Sequence, residues 1–217
     1  MNSAAHTIQD EWLLSYAAGN LTSARSLMIA SHMSYSDQAQ EKVADAEAIG
    51  GALLAEADPS AVDNSVLERL LDQLGSQPEP VIEQPTIQSG NLLPPALADH
   101  IGTDLDALKW RFMGPGMSYV RLFNGPNDER LWLLRANGGV TVPDHGHTGD
   151  EWTLLLKGSY RTELGHYKVG DMDVANDEIE HQPLIDDGEE CICLVMTEGP
   201  LRMKTMFSRM AQPIIGL

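Results

Sequence analysis

Four side chains of this sequence have the types and spacing to bind a metal. In the segment GVTVPDHGHTGDEWTLLLKG, His145 and His147 stand two residues apart, so on an extended strand both imidazoles project from one face. Glu151 follows past the polar Thr148-Gly149-Asp150 and can swing onto the same center as the next strand begins. His181 lies 34 residues beyond His147, far enough for two strands to run out and return. Three imidazole nitrogens and one carboxylate oxygen suit one divalent first-row ion per chain, with zinc foremost and iron, manganese or nickel admitted by the same donors. A His-x-His pair by itself is a weak signal that a surface hairpin meets by chance.

These residues need a strand framework, and the C-terminal part of the chain supplies one. LKWRFM, SYVRLF, LWLLRA, TLLLKGSYRTEL, HYKVGDMDVA, CICLVM and LRMKTMF are short apolar and aromatic runs broken by Gly, Asn, Asp and Pro. Many short antiparallel strands within residues 96–217 mean a barrel or a sandwich. The first 75 residues are written differently, in Ala, Leu, Glu and Gln. Leu13, Leu14, Ala17 and Ala18 recur at helical spacing before a Gly19-Asn20 stop, and Thr22 or Ser23 caps a second helix. A third begins at Ser36 and passes through Val43, Ile49 and Leu53; a fourth, capped by Asp63 or Asn64, carries Leu67, Leu70, Leu71 and Leu74. Residues 1–75 thus read as a small all-α domain, and 76–95, dense in Pro, Gln and Ser, as an extended linker.

The formal charge of −18 is shared evenly, since residues 1–80 and 81–217 each carry −9. Such a surface repels a phosphate backbone and excludes nucleic-acid binding by counterion release; a basic protein is its natural partner. No apolar run is long enough to span a membrane, and MNSAAHTIQDEW has no secretory pattern, so the expected location is the cytoplasm. The two cysteines, Cys191 and Cys193, point to one side of a strand as small core residues and are poorly placed to bond each other. Edge pairing of a barrel would permit a homodimer.

The spacing around the donors is more specific than the donors themselves. Gly139, five residues, His145, one, His147, three, Glu151, six and Gly158 resemble the first cupin motif at every defined position. Gly170 precedes His181 at the distance of the second motif, with Asn176 and Glu178 in place of its Pro and Gly. A helical unit with LLSYAAGNL, a Pro-rich linker, and a barrel with PDHGHTGDEWTLLLKG, VGDMDVANDEIEHQP and CICLVM together resemble the ChrR family of anti-sigma factors along nearly the whole chain. The resemblance implies a C-terminal cupin domain, a double-stranded β-helix, that senses singlet oxygen and related oxidants. It implies further that the helical domain sequesters an extracytoplasmic-function sigma factor and releases it under oxidative stress.

The family's helical domain holds a structural zinc on an N-terminal His and an HxxxCxxC motif. Here His6 and His32 are present, but Ser36 and Ala39 replace the cysteines, so no zinc is expected there. Trp12, Leu13, Tyr16 and Leu21 can form a surface that a partner completes, or they can pack into the domain or on the barrel. The same four metal donors also serve cupin dioxygenases and isomerases, so the alternative is a metal-dependent enzyme with a degenerate helical domain. Tyr160, Arg161, Glu163, His166 and Glu180 are the candidate polar residues for such chemistry, although on a YRTELGHY hairpin most are expected to face solvent, as is His100.

Overall fold

The computed structural model describes residues 4–75, 93–102 and 104–204. Most of the expected linker, residues 76–92, and the end of the last expected strand therefore lie outside the described residues.

The four expected helices form, the last three where their caps place them: α1 (Asp10–Ala17), α2 (Ser23–Met33), α3 (Asp37–Glu56) and α4 (Asn64–Gly75). Gly19, at φ +69°, turns the chain out of α1 in the left-handed conformation that glycine adopts without strain. The Thr22 hydroxyl accepts from Arg25 N–H at 3.4 Å, the Ser36 hydroxyl from Ala39 N–H at 3.2 Å, and the Asp63 carboxylate from Ser65 N–H at 2.8 Å. A fifth helix, α5 (Pro95–Ile101), lies outside the expected set. Its signals are Pro95 at the first position and Gly102 at φ +68° past the end, a pairing that terminates a short helix at both sides.

Among the described residues twelve strands follow, in three antiparallel sheets. The largest has the order β1 (Arg111–Gly114), β2 (Met117–Asn124), β3 (Glu129–Ala136), β11 (Cys191–Glu198), β5 (Glu151–Lys157) and β8 (Met172–Ala175). A second joins β10 (Leu184–Ile185), β6 (Ser159–Arg161) and β7 (His166–Lys168). The third joins β12 (Arg202–Met203), β4 (His145–Gly146) and β9 (Glu180–His181).

Alternation along the large sheet divides the core in two. On β3, β5 and β11, the side chains of Leu131, Leu133, Trp152, Leu154, Leu156, Ile192, Leu194 and Met196 face a layer with Leu13, Met28, Ile29 and Leu97 of the helices. The intervening Trp132, Leu155, Cys191, Cys193 and Val195 face the opposite layer, with Tyr160, Tyr167 and Ile185 of the second sheet. Covering both faces explains why CICLVM and the run of Leu154, Leu155 and Leu156 are continuously apolar rather than alternating. Each fully buried Leu or Ile contributes about 1.5–3 kcal/mol. The segment leading into α1 also lies along the strands: Ala5 and His6 N–H donate to the Asp171 carboxylate at 2.6 and 3.0 Å, and Met172 N–H donates to the His6 carbonyl at 2.9 Å.

The outer faces of α1, α3 and α4 are different. Leu14, Ile49, Leu53, Leu54, Leu67, Leu70 and Leu71 are exposed. Among the described residues no helix is long and apolar enough to cross a membrane.

Candidate metal centre

Three strands bring the four expected donors together. β4 pairs with β9 so that His145 and His181 are direct partners, and Glu151 opens β5. All four residues are buried, and their donor atoms lie within 4.8 Å of one another. Nε2 of His181 is 3.1 Å from Nε2 of His145 and 3.5 Å from Glu151 Oε1; His147 Nδ1 is 3.6 Å from Glu151 Oε2. The motif glycines hold the backbone that makes this possible. Gly158 ends β5 at φ +72°, and a Cβ there would come within 2.6 Å of the Glu190 carbonyl oxygen.

The donor set fits a cation. His145 Nδ1–H donates to the Pro143 carbonyl at 2.8 Å, which fixes the ring and leaves the Nε2 lone pair turned inward. Two imidazole nitrogens 3.1 Å apart repel as bare lone pairs and are stabilised by a positive charge between them. Both ring nitrogens of His147 are buried without a hydrogen-bond partner, a state that costs about 1–3 kcal/mol per group unless something else satisfies them.

The electrostatics point the same way. Burial pushes His147 down to about 4, Glu151 offsetting only part of the effect, so the imidazole is neutral and ready to ligate. Burial opposes a charge on Glu151, yet its polar interactions with His145 and His181 outweigh that and hold the carboxyl well below the usual range. Burial also pulls His145 down, but Glu151 and the Pro143 carbonyl outweigh it and leave the imidazole raised. Charge is therefore stored as one carboxylate facing three imidazoles.

A further tier supports the donors. Asp173 Oδ2 lies 4.0 Å from His181 Nδ1 and accepts a 2.8 Å hydrogen bond from the Tyr160 hydroxyl. Burial raises the Asp173 carboxyl, with Tyr160 and His181 offsetting part. Tyr160 is thus an inward-facing residue, contrary to the expectation that its hairpin positions mostly face solvent, because Tyr160 and Tyr167 occupy the inner side of β6 and β7. Arg161, Glu163, His166 and Glu180 are exposed as expected, Arg161 and His166 both bonding Asp186 at 2.7 Å. His100 sits on the exposed side of α5.

Three of the donors, His145, Glu151 and His181, form one wall of a cavity of about 240 Å³. Apart from His145, Glu151, His181, Tyr160 and Thr153, its lining is apolar, including Met113, Met117, Trp132, Cys191 and Cys193. The two thiols lie 3.5 Å apart and are not bonded, as their i, i+2 placement on one strand predicts.

The helical candidates sit elsewhere. Leu13 is 2% exposed and belongs to the layer between helices and sheet, with Trp12, Tyr16 and Leu21 packed against that layer. Trp12 meets Trp152 edge-on at 4.9 Å. Where the family's helical zinc ligands stand, His32 Nδ1–H donates to the Gly170 carbonyl at 3.1 Å, Ser36 caps α3, and Ala39 is buried. Sequence reasoning missed Arg25, which is on α2 and bridges Asp150 and Glu198 at 3.0 and 2.9 Å. A lone Arg in a helix carries no signal of such a role.

Comparison with known proteins agrees with this geometry. Residues 98–201 match the ChrR cupin-like domain family. The chain is 36% identical over 212 residues to the anti-sigma-E factor ChrR of Cereibacter sphaeroides, covering 98% of both chains. It also superposes with a TM-score of 0.77, at 33% identity, on a chain of the solved Rhodobacter sphaeroides SigE complex with the anti-sigma ChrR, covering 90% of this chain and 99% of that one.

Proposed function

This chain belongs to the ChrR family of anti-sigma factors, and from that premise we propose that it sequesters an extracytoplasmic-function sigma factor in the cytoplasm and releases it when an oxidant reaches the metal centre. A relative of known structure, the anti-sigma ChrR, is solved in complex with SigE. The observation that carries the reading here is the apolar face left open on the distal helices. Ile49, Leu53 and Leu54 of α3 and Leu67, Leu70 and Leu71 of α4 are exposed large hydrophobics spaced so that each trio shares one face of its helix. Exposed apolar helix faces of this kind favour a protein interface. The strongly acidic chain adds attraction for a basic partner. Trp12, Leu13, Tyr16 and Leu21 become a second contact only if α1 and α2 lift from the sheet, so first contact is assigned to α3 and α4.

The metal, zinc foremost, would be held by His145, His147, Glu151 and His181, and it would supply a fixed positive charge that orders three strands around it. The apolar cavity beside it admits a small oxidant and keeps bulk water out. An altered imidazole ligand then loosens β4, β5 and β9 together, because each contributes a donor.

Coexpression with the sigma factor encoded beside it tests the reading. A one-to-one complex on size exclusion, lost in Leu67→Glu/Leu71→Glu while the thermal midpoint of the free chain is unchanged, is the expected result. A metal-loaded chain that binds no sigma factor would refute it.

A further inference from the structure

Strand β5 is used from both sides. Glu151 points inward to the three imidazoles, whereas its neighbours Asp150 and Trp152 both touch Arg25 of α2. The guanidinium Nη2 lies 3.0 Å from Asp150 Oδ2 and 2.9 Å from Glu198 Oε1, and Nε lies 3.4 Å from Glu129 Oε1. Its carbon sits 4.5 Å from the Trp12 ring center and 5.1 Å from that of Trp152. Glu198 follows Thr197, the residue paired with Glu151 across β5 and β11. Glu129, 1% exposed, also accepts a 2.9 Å hydrogen bond from the Thr22 hydroxyl at the start of α2. One helical side chain therefore grips the residues on either side of a metal donor and the end of the strand beside it.

Neither the metal donors nor the apolar packing requires this arrangement. Three carboxylates gathered around one largely buried arginine incur a desolvation cost that apolar residues would avoid, so the cluster is better understood as fixing a register than as adding stability. If α2 lifts away, Glu129, Asp150 and Glu198 are left facing one another without a cation. Their repulsion separates the start of β5 from the end of β11, which is where Glu151 is held.

We infer that Arg25 is a positioning residue for Glu151, and that through it metal occupancy and the seating of the helical unit on the sheet favour each other. Linkage makes the effect reciprocal: whatever the seated helices add to metal affinity, the metal returns to the seating. The inference rests on the metal reading of the four donors and does not depend on the identity of the partner.

The test uses the full-length chain with cobalt(II) as the probe, and compares wild type, Arg25→Met and Arg25→Lys. Cobalt affinity and the visible ligand-field spectrum report on Glu151. Amide exchange at Ala5 and His6, whose N–H groups bond Asp171 across the interface, reports on seating. In wild type, cobalt is expected to slow exchange at these amides. In Arg25→Met, affinity is expected to fall about tenfold, the range seen when outer partners of metal ligands are removed, and the cobalt-dependent slowing should vanish; Arg25→Lys should restore part of both. Should Arg25→Met fail to fold, Glu198→Gln removes one leg at a half-buried position and should shift both readouts in the same direction. Unchanged affinity, spectrum and cobalt-dependent protection in these variants would reduce Arg25 to a structural tie and overturn the inference. A wild-type chain that takes up no cobalt would overturn the metal reading itself.

Discussion

Acid should destabilise the metal-free chain through His147, and by a predictable amount. Burial lowers its imidazole from 6.5 to about 4. The unfolded chain therefore binds the proton first as pH falls, and native stability drains away from about pH 6.5 down to about pH 4. Each pH unit over which only the unfolded chain holds that proton costs about 1.36 kcal/mol, so the loss between pH 8 and pH 5 integrates to about 2 kcal/mol. Two neighbours must be separated from this effect. His145 is raised, so its contribution has the opposite sign, present in acid and fading as pH rises through its folded value. Glu151 is lowered, so its contribution is lost only as pH falls below the ordinary carboxylate value of 4.5, outside the window. Urea unfolding of the chelator-treated chain at pH 8, 6.5 and 5, for wild type and His147→Gln, isolates the His147 contribution. The variant is expected to lose about 2 kcal/mol less across the window than wild type. Equal pH slopes for the two chains would refute the assignment of a buried, neutral, unpartnered His147, and with it the strongest local reason for placing a metal there.

Asp173→Asn removes the charge facing His181 Nδ1 and should weaken metal affinity about 10–100-fold, measured by competition with a chromophoric chelator, while leaving the stoichiometry at one ion. Ser36→Ala deletes the cap on α3 and should cost about 1 kcal/mol in urea unfolding, with no change in metal content, because that end of the helical unit is held by hydrogen bonding. Cys193 should resist iodoacetamide at pH 8 in the folded chain, since its hydrogen bond with Cys191 and its burial push the thiol far up; labelling read by mass spectrometry within minutes would contradict this.

What the sequence revealed and what it concealed divide along physical lines. The donors were legible because a metal site is a spacing problem: His145 opens the short strand β4, His147 follows directly past its end, and glycines at fixed offsets mark where the chain must turn. The helices were legible from short-range capping at Thr22, Ser36 and Asp63. Helix α5 was obscured because Pro94-Pro95 reads equally as the end of a Pro-rich linker. Tyr160 was misplaced because a short hairpin reveals its alternation but not which side is inward. Arg25 was invisible because its three carboxylate partners come from β3, the turn before β5, and β11, a convergence that only the fold creates.

The cavity chemistry bears on which group an oxidant meets first. Cys191 and Cys193 face the metal side of β11 and line the same cavity, which makes them the obvious redox pair by proximity. Yet attack on a peroxide needs thiolate, and the hydrogen bond with Cys191 together with burial keeps Cys193 protonated. Forming a bond between them would also twist a central strand that is paired on both sides, by β3 and by β5. The imidazoles have neither constraint: they converge on one point, with His145 and His181 at the cavity wall, and His147 is held neutral. Damage to a ligand ring also has more reach than damage to a thiol, because His145, Glu151 and His181 tie three strands together and Glu151 is flanked by the residues that hold α2. On the proposed reading, a donor ring lost to oxidation is thus also one whose loss the helices would feel.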